Sequence, residues 1–387
     1  MTRIDVNPRI LQWAQRRSGR SDAEMHRKFN TWGLWLQQKK NPTFSQLEDL
    51  AEYTHVPFGY FFLTEPPIED LPIPDFRAGR AAKKAPASGD LLDTIYLNQR
   101  RQSWYEEYLM KLEDPEPLPF VGSAQGLDAT AAATLITKAL DYQVTNRTKL
   151  RPISKIRSHL MTKFEELGGL VIFNSMVGNN TKRMLDLEEF RGFTLQSPIA
   201  PLIFINANDT VNGQIFSFLH ECAHVWRGDS SGVSAGGDPL DNRDTHIERW
   251  CDQVAAEVAV PTTDLRDNFN PHTDLTSELD RLSDRYYCST LVILLQLRSA
   301  NIIKAQGFNE IYDNERTRIL NIMGQQKQKR EGGNFYLNQR YHIGETLSHA
   351  IIRDTKLGAT PMTEALRLLT FKSIPVFDKY ARKLEEV

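Results

Sequence analysis

Residues 213–228 read GQIFSFLHECAHVWRG, and this stretch decides how the rest of the chain is read. Apolar side chains run up to the histidines without a helix breaker, and Gly228 supplies a stop, so the pattern predicts a helix. On a helix His220 and His224 lie slightly more than one turn apart and share a face, where two imidazoles can bridge one zinc ion. Glu221 projects toward the space beside that ion. There it can take a proton from water while the metal polarises a carbonyl, which is the chemistry of peptide-bond hydrolysis. Ile215, Phe216, Phe218, Leu219, Ala223, Val225 and Trp226 make the helix apolar nearly all around, so it is buried. A buried helix with two incidental histidines is the competing account, but it leaves a buried Glu221 without the partner its charge requires. Cys222 faces away from both histidines and reads as inert.

A catalytic zinc takes a third protein ligand and keeps one position open. The metzincin continuation, with glycine at 227 and histidine at 230, is excluded by Arg227 and Ser230. Residues 247–261, IERWCDQVAAEVAVP, predict a second helix ended by Pro261, with Glu248 and Asp252 one turn apart on one side. Glu248 is the expected third ligand. Asp252 is placed to accept the free ring N–H of His220 or His224, fixing tautomer and orientation. Ala255, Ala256 and Ala259 let the two helices approach closely. His246 and Asp229 are weaker candidates for the third ligand, and manganese or iron could occupy the same donor set in place of zinc.

Working outward, Leu170–Phe173, Gly192–Leu195 and Leu202–Ile205 are short apolar runs with the form of strands. Before them, one long helix is expected from Leu91 through Leu109, then helices over Ala129–Leu140 and Ile153–Leu167, the last closed by Gly168-Gly169. After Pro261, the segments Leu275–Tyr286 and Ser289–Ser299 read as core helices, and further helices are expected around Ile343–Arg353 and Met362–Leu369. Lys327, Lys329 and Arg330 read as a solvated basic loop. The fold class is α+β, mostly helical. The expected organisation is a helical module over residues 1–65, a Pro-rich linker over 66–90, a metallopeptidase domain over 91–300 and a helical C-terminal domain over 301–387.

Composition narrows the function classes. Of 387 residues, 47 are basic and 49 acidic, giving a net charge of −2, so no overall field attracts nucleic acid or an acidic membrane surface. No apolar run approaches the ~18 residues a membrane span needs. The opening MTRIDVNPRI lacks the build of a signal peptide. Three cysteines, Cys222, Cys251 and Cys288, are too few for a disulfide framework. These features predict a cytosolic protein without membrane contact.

The H-E-x-x-H stretch, followed 24 residues after His224 by E-R-W-C-D-Q-V-A-A-E-V-A-V-P, resembles the ImmA/IrrE family of metallopeptidases. The likeness extends to R-G-F and P-L-I-F-I-N upstream, to P-D-F-R at Pro74–Arg77 and to G-G-N-F-Y at Gly332–Tyr336. Asp252 stands where asparagine is frequent in that family, and Val260 where methionine is usual. The resemblance implies zinc held by His220, His224 and Glu248, with Glu221 as catalytic base. It also implies a cytosolic peptidase that cuts a helix-turn-helix repressor or related regulator, at a mobile-element, toxin–antitoxin, defence or stress-response locus.

The first 65 residues, with NPTFSQL at 41–47 and the aromatic and proline tail at 57–66, resemble the lambda-repressor-like helix-turn-helix of the XRE class. A helix that reads the major groove presents polar side chains at its start. The corresponding stretch here offers Trp32, Gly33, Leu34 and Trp35. Nine Lys and Arg against seven Asp and Glu through residue 65 make a faint electrostatic footprint. A protein-contact role is therefore expected ahead of DNA contact. The alternative is a DNA-binding regulator whose metal site is structural or vestigial.

Overall fold

The computed structural model describes residues 3–76, 86–112, 114–228, 231–234, 246–326 and 335–385. It divides into two compact units, Met1–Pro72 with Ala85–Tyr96, and Ile73–Lys84 with Leu97–Val387.

The first unit contains α1 (Pro8–Arg17), α2 (Asp22–Lys28), α3 (Trp32–Leu36) and α4 (Phe44–Thr54). Local sequence sets their starts. The Asn7 side chain accepts from the Arg9 amide, and Ser21/Glu24 and Thr43/Gln46 each form a reciprocal capping box. Ile10, Leu11, Met25, Trp32, Trp35, Leu47 and Leu50 meet in its core. The two tryptophans of α3 are thus packing residues, as the stretch predicts.

A long helix, α5 (Gly89–Leu112), leads into the second unit, which continues with α6 (Ala129–Ala139), α7 (Val144–Arg147) and α8 (Ile153–Glu166). Gly168, at φ +98°, follows α8 and lets the chain turn into the sheet. Five strands compose that sheet: β1 (Asp75–Phe76), β2 (Leu170–Asn174), β3 (Gly192–Leu195), β4 (Leu202–Asn206) and β5 (Gly232–Ser234), in the spatial order β1-β5-β3-β4-β2. β2 runs parallel to β4, β3 is antiparallel to both β4 and β5, and β1 pairs parallel with β5. The three predicted strands are present, and two more were not anticipated. Asp75 and Phe76 lie inside the stretch expected to be a linker, and α5 begins at Gly89, before that stretch was expected to end. Strands of two and three residues are too short to show a period in sequence, and their pairing is long-range.

Two further helices carry the motifs: α9 (Val211–Arg227) and α10 (His246–Ala259). α9 packs against β3, β4, α6, α8 and α10, which explains an apolar surface on all sides. Phe218 and Trp226 of α9 join Phe120 and Phe164 in a connected aromatic group. Beyond α10 come α11 (Thr262–Asn268), α12 (Leu275–Tyr286), α13 (Thr290–Ser299), α14 (Phe308–Gln326), α15 (Phe335–His342), α16 (Glu345–Lys356), α17 (Met362–Leu368) and α18 (Ile374–Glu385). α12 and α13 are core helices, with Leu279, Leu282, Ile293, Leu294 and Leu297 buried. The architecture is mostly helical with one small mixed sheet. Among the described residues no helix is long and apolar enough to cross a membrane. The basic cluster at 327–330 lies outside the described residues, as do Arg77 and Gly332 to Asn334 of the quoted family stretches.

Candidate metal centre

α9 opens at Thr210, whose side chain accepts from the Gly213 amide, and closes at Gly228 with φ +77°. That glycine is required twice. Its conformation is left-handed, and a Cβ there would lie 2.5 Å from Gly122 Cα. Between these ends the helix places His220, Glu221 and His224 in the interior at 4%, 1% and 1% exposure. The two imidazoles turn the same ring atom toward each other, with Nε2 to Nε2 at 3.3 Å.

α10 brings Glu248, 2% exposed, to the same point. Its Oε2 is 3.3 Å from His220 Nε2 and its Oε1 3.1 Å from His224 Nε2. Arg147, fully buried, donates to the carbonyls of Val258 and Ala259 and lies 3.9 Å over the Tyr142 ring, closing the far end of α10. Asp252 Oδ1 sits 2.9 Å from His220 Nδ1. Asp252 is placed to accept the Nδ1–H, and in a neutral His220 ring that donation leaves the Nε2 lone pair aimed at the centre. His220, Glu221, His224, Glu248 and Asp252 are therefore brought together, and the two weaker candidates are not among them. His246 is exposed at the start of α10 and outside the cluster, because a position two residues before Glu248 points around the opposite side of the helix. Asp229 lies outside the described residues.

The electrostatics follow from burial and partners. Burial alone would lower the His220 pKa, but Asp252 and Glu248 outweigh it and hold the value at about 10. Burial would raise Glu248, yet His220 and His224 bring it below the ordinary carboxylate range. At Glu221 burial prevails and the pKa is raised, against the opposing pull of His224, His220, Thr194 and Ser234. Burial also pushes the Cys222 thiol well up, in keeping with an inert cysteine.

These donors fit a metal ion. One ligand atom from each of His220, His224 and Glu248 lies within 4.8 Å of the others. Two ring nitrogens facing each other at 3.3 Å cannot both present N–H. A cation at their meeting point satisfies both lone pairs and the carboxylate together.

Sequence reading missed four contributors. Thr194 on β3 donates its hydroxyl to Glu221 Oε2 at 2.7 Å. Gly192, two residues earlier, faces the same carboxylate, and a Cβ there would stand 3.1 Å from Glu221 Oε1. Gln196 Nε2 donates to the His224 carbonyl at 2.7 Å. The Phe76 ring lies parallel to that of His224, interplanar angle 3° and centroids 6.0 Å apart. The only advance signals were R-G-F and P-D-F-R, quoted for their likeness and not for a role.

An H-E-x-x-H helix packed on a small mixed sheet, with a carboxylate delivered by the next helix, defines an α+β domain built around a candidate metal centre. Comparison with known families goes one step further. Residues 164–298 match the Peptidase M78 model, described as an IrrE N-terminal-like domain, and residues 343–383 match a domain of unknown function (DUF8813). The first match contains β2 to β5, α9, α10 and all five predicted site residues, and it supports a peptidase of the ImmA/IrrE type. β1 lies outside it. No curated protein matches the chain.

Proposed function

We propose that the protein is a zinc-dependent, site-specific endopeptidase acting in the cytoplasm on a regulatory protein, with a helix-turn-helix repressor or antitoxin as the favoured substrate. The observation that carries the reading is the convergence of His220, His224 and Glu248 with Glu221 beside them, all buried. Zinc bound by the three would polarise the scissile carbonyl and activate water. Asp252 holds His220 in the tautomer that offers Nε2 to the centre. Glu221 takes a proton from the attacking water and passes it to the leaving amine nitrogen. Its raised proton affinity suits that exchange.

The N-terminal unit is read as the module that brings a protein partner. Trp32 and Trp35 are buried, whereas Leu34, Phe44 and Phe62 are exposed at 40%, 50% and 53%, which favours protein contact over groove reading. The test is to incubate the purified protein, and its Glu221→Gln variant, with repressor-like proteins encoded beside it and to map new termini. One new terminus with the unaltered protein and none with the variant is expected, together with about one equivalent of zinc. Equal cleavage by both would eliminate the assignment.

A further inference from the structure

β3 carries two residues on the face it turns to α9, and they treat the two oxygens of Glu221 differently. Gly192 and Thr194 are two apart on one strand and so point the same way, while Phe193 between them points to the opposite face and stacks on Phe204. The Thr194 hydroxyl has one proton and two acceptors in reach, Glu221 Oε2 at 2.7 Å and the Glu221 carbonyl at 3.3 Å. The shorter contact takes it. Oε1 accepts no close hydrogen bond among the described residues and faces Gly192, whose β5 partner Ser234 brings a second buried hydroxyl toward the carboxylate. A Cβ at residue 192 would come within 2.9 Å of the Phe204 carbonyl and 3.1 Å of both Ile205 Cδ1 and Oε1, so the missing side chain serves the strand pairing and also leaves that oxygen room.

We propose that Gly192 and Thr194 are positioning residues for Glu221: Thr194 ties down Oε2, and Gly192 keeps Oε1 open for the proton it must exchange. The inference rests on Glu221 as the base and adds how its carboxylate is aimed. A buried glutamate has three rotatable torsions, and a carboxylate displaced by about 1 Å forfeits up to a hundredfold in rate.

Thr194→Val keeps the shape and removes the donor. It should lower kcat about tenfold to a hundredfold with KM and zinc affinity unchanged, and Thr194→Ser should restore most of the loss. Gly192→Ala, which intrudes on the other oxygen, should lower kcat by a similar factor. A measurement independent of activity uses metal-free protein in EDTA. Thr194→Val should reduce the urea midpoint, and the reduction should vanish in a Glu221→Met background, because the two side chains then have no contact left to lose. Additive midpoints, a Thr194→Val kcat equal to that of the unaltered protein, or a Thr194→Ser variant no better than Thr194→Val would each overturn the proposal. Glu221→Gln, assayed alongside, separates the failures. An active Glu221→Gln removes the base assignment and this inference with it, whereas an inactive one beside an unimpaired Thr194→Val removes this inference alone.

Discussion

Glu221 and Glu248 are buried to almost the same depth, at 1% and 2% exposure, yet burial wins at one and loses at the other. Glu248 lies between two imidazoles, and their proximity outweighs desolvation and favours the ionised form. Glu221 has only neutral hydroxyls, those of Thr194 and Ser234, beside its carboxylate, and desolvation outweighs them and the imidazoles to raise its proton affinity. The side chain and the dryness are alike, so the partners divide the roles. A carboxylate held ionised suits a cation, and one whose proton affinity is raised suits acid–base work.

The sharpest way to break this contrast is to remove each charge in turn. Glu221→Gln should retain metal and lose about 10²- to 10⁴-fold in kcat, while Glu248→Gln should lose bound metal and activity together. Metal analysis beside a cleavage assay reads both. A Glu221→Gln protein without metal, or a Glu248→Gln protein with a full equivalent, would mean that the roles are not divided in this way. Asp252→Asn comes next. It leaves the ligands in place but weakens the acceptor that orients His220, and metal affinity should drop roughly 10- to 100-fold in a chelator competition.

The same contrast predicts how the metal-free protein responds to pH. Glu248 has a folded value below its ordinary 4.5, so its contribution is present above that pH and declines as the solution is acidified. Glu221 is raised, so the folded state holds its proton more tightly and stability falls as pH climbs above 4.5 through the folded value. His220, raised from 6.5 to about 10, contributes fully below 6.5 and loses that contribution as pH rises toward 10. Urea midpoints in EDTA should therefore decline on both sides of a maximum. Glu221→Gln should flatten the decline that starts above 4.5, and Asp252→Asn should shrink the one above 6.5. Unchanged profiles in both variants would show that partners do not set these proton affinities.

The residues that hold the metal could be read from sequence, whereas the surroundings that tune it could not, and the reason is the range of the interaction. His220, Glu221 and His224 are fixed relative to one another by a helical repeat, and Glu248 and Asp252 by another, so spacing alone gives their geometry. Only the meeting of α9 with α10 needed tertiary information, and small residues hinted at that. Thr194 and Gly192 act from a strand whose register against β4 and β5 is set by pairings that no local pattern encodes. Arg147 holds the end of α10 from more than 100 residues upstream, through backbone carbonyls that carry no sequence signature. β1 was hidden because two residues have no period, and the prolines around them read as linker.

β1 supplies the smallest expected effect. Phe76 lies parallel to His224, and the surface that receives its ring is Gly232 on β5, where a Cβ would come within 2.2 Å of the ring. The ring therefore bears on one of the two imidazoles that keep Glu248 ionised, and the observed contacts do not link it to Glu221. Phe76→Leu keeps an apolar cover but removes the flat partner, a change worth about 0.5–1.5 kcal/mol for an aromatic pair. Metal affinity should weaken a few-fold, with kcat at saturating metal unchanged. Gly232→Ala, which displaces the same ring from beneath, should reproduce that result. If either variant instead lowers kcat at saturating metal, the sheet edge acts on the base as well as on the ligands, and the two glutamates no longer belong to separate environments.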